Sequence, residues 1–151
     1  MPPTVSASSM LSQFFTSVLV VVGWIVVDNQ NNKRELRREI RALIDNLITE
    51  IDELAERSFK FHKNSTFDAI ESKQLKLRIQ RIANNINRNS LVENSKAIYH
   101  FRKSITGNNF DITIFRTQND NSEILSLILE EKDELISALE EKYCNKYRKK
   151  L

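Results

Sequence analysis

From Met10 to Val27 the chain reads MLSQFFTSVLVVVGWIVV without a charged side chain, and from Val18 to Val27 only Gly23 and Trp24 interrupt a run of Val, Leu and Ile. Such a stretch must be kept from water, which limits what the rest of the chain can be. As a helix it would reach about 27 Å, close to the ~30 Å hydrocarbon core of a bilayer. The length predicts one membrane-spanning helix over residues 10–27. A cleaved signal peptide would need a basic start and a small-residue cleavage site. Here MPPTVSASS has no Lys or Arg, and Trp24-Ile25-Val26-Val27-Asp28 offers no A-x-A-like site. A buried core helix is the other alternative. Against it, the run is apolar on all sides, whereas each later helical stretch has a polar face.

The flanks predict an orientation. Lys33, Arg34, Arg37, Arg38 and Arg41 follow the run, and no basic side chain precedes it. A positive-inside bias puts the N-terminus outside and residues from about 28 onward in the cytoplasm. Trp24, near the inner end, suits an interface anchor whose indole N–H stays among headgroups. Thr16, Val20, Gly23 and Val27 share a helix face, so Thr16, Val20 and Gly23 are candidates for packing between spans, with Gly23 allowing close backbone approach.

The remaining residues suffice for one compact domain. Gly107 is the only glycine after the run, and no proline follows Pro3. A β-rich fold needs tight turns, so this scarcity points to an all-α chain with long helices. A net charge of +3 is modest, which makes nucleic acid an unlikely partner class. The lone Cys144 has no cysteine to pair with inside the chain.

In order, residues 1–9 are expected to be a disordered outer tail, and 28–32 a juxtamembrane linker or a continuation of the helix. A cytosolic antiparallel bundle of about four helices is expected over 33–151, with helices near 33–61, 66–87, 90–106 and 122–147. In the first, Leu36, Ile40, Leu43, Leu47, Ile51 and Leu54 recur with an eleven-residue period, the pattern of a nearly straight helix. Ser65 or Thr66 is expected to cap the second, with Asp68 in its first turn, and Asn89 or Ser90 the third. Gly107 is the expected left-handed terminator of the third helix, and Asn121 or Ser122 the cap of the fourth. Phe110 to Phe115 alternates like a strand but has no partner strand, so it reads as an extended connector or a short helical turn burying Phe110, Ile112 and Phe115.

An up-down-up-down bundle would return the last helix to the membrane. Lys146, Arg148, Lys149 and Lys150 would then join Lys33, Arg34, Arg37, Arg38 and Arg41 as membrane-surface contacts. The far end would collect Glu50, Asp52, Glu53, Glu56, Asp120 and Glu123.

No catalytic set is legible. His62 and His100 lack a second ligand at metal-binding spacing and read as partly exposed surface residues. Cys144 has no neighbouring base, and Glu130, Glu131, Asp133 and Glu134 lack the Glu-x-x-His pairing of a di-metal bundle. Catalytic, metal and cofactor residues are therefore none. The Val22-Gly23-Trp24 end of the run and the Phe101-to-Phe110 segment FRKSITGNNF give the chain its resemblance to small single-pass bacterial membrane proteins with a helical cytosolic domain. That resemblance implies an inner-membrane address and carries no site residues. The functional expectation is a membrane-tethered, non-enzymatic interaction or scaffold protein, with the bilayer, a cytosolic protein or its own copies as partners. The alternative is a self-assembling membrane-perturbing effector or holin-like regulator.

Overall fold

The computed structural model describes residues 7–107 and 109–148, with side chains from Phe15 to Tyr147. Four α-helices are present among them: α1 (Ala7–Lys63), α2 (Ala69–Arg88), α3 (Lys96–Thr106) and α4 (Glu123–Tyr143), the last running into a π-helical turn at Cys144–Arg148. No strand occurs among the described residues. The all-α expectation therefore holds. The chain divides into two compact units, one reaching Ile40 and one starting at Arg41.

The membrane span does not hold. Among the described residues no helix is long and apolar enough to cross a membrane. The described apolar run from Val18 to Val27 would rise only about 15 Å, half a hydrocarbon core. It continues without a break into Asp28-Asn29-Gln30-Asn31-Asn32, because α1 does not stop there. The side chains of Met10 to Phe14 lie outside the described residues. The single-pass placement, with the N-terminus outside and the remainder cytoplasmic, is corrected accordingly. Residues 7–9, expected in a disordered tail, belong to α1, whereas residues 1–6 lie outside the described residues.

The second unit is a bundle whose helices bury residues at alternating steps of three and four. On α1 the buried positions are Ile44, Leu47, Ile51, Leu54, Ala55, Ser58, Phe61 and His62; on α2 they are Ser72, Leu75, Ile79, Ile82, Ala83 and Ile86. On α4 they are Leu125, Ile128, Leu135 and Leu139. The eleven-residue spacing continues as Ile44 to Ala55, Leu47 to Ser58 and Ile51 to His62, starting later along α1 than expected. Leu36 is half exposed and Ile40 and Leu43 are only partly buried, while Ser58 carries the stripe onward. Each fully buried Leu, Ile or Phe contributes about 1.5–3 kcal/mol against exposure. α3 adds Ala97, Ile98, Phe101 and Ile105.

Ion pairs between helices give their directions. Going up α1, Arg41 meets Glu140, Asp52 meets Lys132 and Lys63 meets Asp120, so α4 runs antiparallel to α1. Glu50 with Arg81, Glu53 with Arg78 and Arg57 with Glu71 show the same for α2. The Glu93–Lys142 pair and the approach of His100 to Glu131 set α3 antiparallel to α4. The up-down-up-down order is therefore as expected. The acidic far end is not: Glu50, Asp52, Glu53, Glu56 and Asp120 each face a cation at Arg81, Lys132, Arg78, Lys60 and Lys63.

Local signals shift some boundaries. Asp68 is itself the cap of α2, its Oδ1 accepting from the Ile70 and Glu71 N–H groups at 2.9 Å each. α3 starts at Lys96 rather than 90, after a turn in which Ser90 takes φ 50° and the Leu91 N–H reaches the Ile86 carbonyl. Ser122 caps α4 as expected, its hydroxyl accepting from the Leu125 N–H. Gly107 is not left-handed, with φ −82°. A Cβ there would lie 2.6 Å from the Lys103 carbonyl oxygen, so the close approach is what requires glycine. Phe110 is buried, but Ile112 is exposed.

Candidate functional site

Two places in the chain stand out physically. The first lies within the first unit, on α1. Phe15, Val18, Leu19, Val20, Val21, Val22, Trp24, Ile25, Val26 and Val27 are all exposed, Trp24 by 77%. Taking about 100 Å² per half-exposed large side chain, they present on the order of 1,000 Å² of apolar surface, more than the ~300–600 Å² of the largest patch on a typical monomer. Val20, Gly23, Trp24, Val27, Asp28 and Asn31 line a groove along this part of the helix. Nothing lies within 4 Å of where a Gly23 side chain would stand. The structure thus keeps Val20 and Gly23 on one open face and leaves Thr16 exposed beside them.

Of the basic residues, Lys33, Arg34 and Arg38 are exposed and Arg37 is half-buried. Arg41 is built into the bundle: Nη1 donates to Glu140 Oε2 and Nη2 meets Asp45 Oδ1, both at 2.7 Å, and the guanidinium lies 5.5 Å from the Tyr143 ring. It is a structural clamp. Lys146 is exposed, with Nζ 5.4 Å from the Tyr147 ring. The Arg148 side chain, Lys149 and Lys150 lie outside the described residues. The membrane-surface role of these residues and the anchor role of Trp24 rested on the span and lose their basis with it.

The second place is His62, expected at the surface and found 1% exposed. Its Nε2 lies 3.2 Å from the Ile105 carbonyl oxygen and its Nδ1 3.2 Å from Asn109 Nδ2. A carbonyl only accepts and an amide nitrogen only donates, so the ring is neutral with its hydrogen on Nε2. Burial pushes its pKa below the usual 6.5, with the Ile105 carbonyl acting weakly the other way. Asn109 is fully used: Nδ2 also donates to the Arg116 carbonyl at 2.9 Å, and Oδ1 accepts from the Arg116 N–H at 2.7 Å. Around this pair Phe61 packs on Phe110, Phe115 and Phe67 with ring centroids 5.0, 5.4 and 5.7 Å apart. Lys76 Nζ lies 5.2 Å from the Phe110 ring centre. Sequence reasoning missed the pair because its partners are 47 residues apart. The two aromatic-rich stretches flanking it, Phe59 to Phe67 and Phe110 to Phe115, were the signal present.

Elsewhere the chemistry is sparse. His100 Nδ1 stands 3.7 Å from Glu131 Oε1, beyond hydrogen-bond length. Lys132, which interrupts the apolar stripe of α4, donates to Asp52 at 3.0 Å, and that bond raises its pKa. Cys144 is half-buried and free. Among the described residues no group of three or more His, Cys, Asp or Glu is placed to hold a metal ion. No family model, curated protein or solved structure matches the chain.

Proposed function

We propose that the chain is a non-enzymatic helical scaffold that assembles with its own copies through the exposed apolar part of α1. The observation that carries this reading is the run of exposed large apolar side chains from Val18 to Val27, in a chain that otherwise buries its apolar stripes. A stable interface needs about 800 Å² from each partner, and the apolar surface spread round this run is of that order. The occupant must be uncharged over the same length, because a charge packed there would be desolvated without a partner. A second copy meets that condition by construction. Val20, Trp24, Val27 and Asn31 follow the four-three-four spacing of a helix seam. Asn31 is the polar residue at the end of this row, the kind of position at which one asparagine sets register between paired helices.

Gly23→Leu tests the reading. The isolated helix accepts the added side chain, since the space is open, and gains helix propensity of up to about 1 kcal/mol. Crosslinking and sedimentation of the full chain should show oligomers that Gly23→Leu weakens or changes in size. A wild-type chain that stays monomeric at about 100 μM, well above the range of specific protein pairs, contradicts the reading. So does one that associates only with detergent micelles.

A further inference from the structure

The segment between α3 and α4 has few helical hydrogen bonds of its own and is fixed to the end of α1. His62 holds Asn109 through Nδ1, and its carbonyl accepts from the Gln118 N–H at 2.8 Å. The Asn64 carbonyl accepts from Thr117 Oγ1 at 2.9 Å. Asn109 in turn pins the Arg116 peptide from both sides. Asp111 only closes a local turn, accepting from the Thr113 N–H and hydroxyl. The His62 imidazole therefore holds the Asn109 end of the 109–118 segment, while backbone bonds to His62 and Asn64 hold the Thr117–Gln118 end.

We propose that His62 and Asn109 form an acid-released latch: when His62 takes one proton from solvent, Nδ1 turns from acceptor to donor, its bond with Asn109 breaks, and the 109–118 segment leaves the Phe61 cluster. Nε2–H is already committed to the Ile105 carbonyl, so the new hydrogen must go on Nδ1, where it faces the two N–H groups of the Asn109 amide. An Asn109 flip would present Oδ1 to His62 but turn the amide nitrogen onto the Arg116 N–H and the amide oxygen away from it, so the segment loosens by either route.

The charges around the ring give the imidazolium no ready partner. On α1, Lys60 is paired with Glu56 and Lys63 with Asp120. α2 presents Lys76 to the Phe110 ring, α3 carries exposed Arg102 and Lys103 ahead of Ile105, and the segment itself carries Asp111 and Arg116. Glu123 opens α4. Among the described residues none of these forms an ion pair with His62. Glu56 and Asp111 both have carboxyls held below their ordinary values, by Lys60 and by Thr113 respectively, so neither titrates between pH 5 and 7.5.

Hydrogen exchange of the full chain between about pH 7.5 and 5, corrected for intrinsic rates, tests the latch on the amides of Arg116 and Gln118. They should exchange through an opening of lower free energy than that of the α2 and α4 amides, and their protection should fall by up to about tenfold per pH unit, the limit for uptake of one proton. Asn109→Asp should reverse the trend, because its carboxylate accepts from the new Nδ1–H, and protection then holds or rises as the pH falls. His62→Gln removes the titration and should leave protection independent of pH. Protection at Arg116 and Gln118 that does not change with pH in the wild type, that is no lower than that of the α2 and α4 amides throughout, or that still falls with pH in either variant overturns the latch.

Discussion

Two stretches of α1 carry similar amounts of apolar side chain and meet opposite fates. From Ile44 to Phe61 the apolar residues stand three and four apart and are buried against α2, α3 and α4. From Val18 to Val27 they are consecutive and exposed. Apolar content does not decide burial; spacing and the presence of facing helices do. A stripe confined to one side of a helix can be covered by a bundle. A run pointing in every direction offers no single face to cover and needs apolar surface around it.

The largest effect should separate the two stretches directly. Leu54→Ala leaves a cavity in the bundle and should lower its stability by about 2–5 kcal/mol in urea unfolding followed by circular dichroism. Ile25→Ala should leave that transition within about 0.5 kcal/mol. Equal losses would erase the contrast. Asn109→Ala should destabilise by about 1–3 kcal/mol, since buried His62 Nδ1 and the Arg116 N–H lose their partner, while the Arg116 carbonyl keeps Gln118 Nε2. A loss below about 0.5 kcal/mol would show that the pair holds nothing.

Stability should also depend on pH through His62. Its folded pKa lies below the unfolded 6.5, so the unfolded chain takes up the proton first. The stabilisation is complete above about pH 6.5 and is lost as the pH falls toward the folded value, by at most about 1.4 kcal/mol per unit. His62→Gln should flatten this slope in midpoint measurements across pH 5–7.5. The smallest change belongs to Arg57, whose Nε and Nη2 donate to the two oxygens of Glu71 at 2.9 and 2.7 Å. The pair is about a quarter exposed on each side, so Glu71→Gln should cost no more than about 1 kcal/mol, and less in high salt.

Helix count, antiparallel order and the apolar members of each stripe were legible in the sequence because they follow from glycine scarcity and three-four spacing. Ser58 and Ser72 were not, since a search for apolar letters skips a serine at a core position. Lys132 looked like an interruption because its partner, Asp52, is 80 residues away. The same distance in sequence hid His62 and Asn109, and most of the cations, Arg81, Lys132, Arg78 and Lys63, that pair across the bundle with the expected acidic end. The error over residues 10–27 had a different origin. Length and absence of charge describe what a stretch avoids, not what covers it, and the helix does not end where its apolar run ends.

Hydrogen exchange at low and high protein concentration tests the central claim most directly. If copies meet on the exposed part of α1, the amides of residues 18–27 should gain protection as concentration rises, while those of Leu47 to Leu54, already buried, stay constant. Protection over 18–27 that is the same at every concentration, or that arises only when detergent is added, would contradict it.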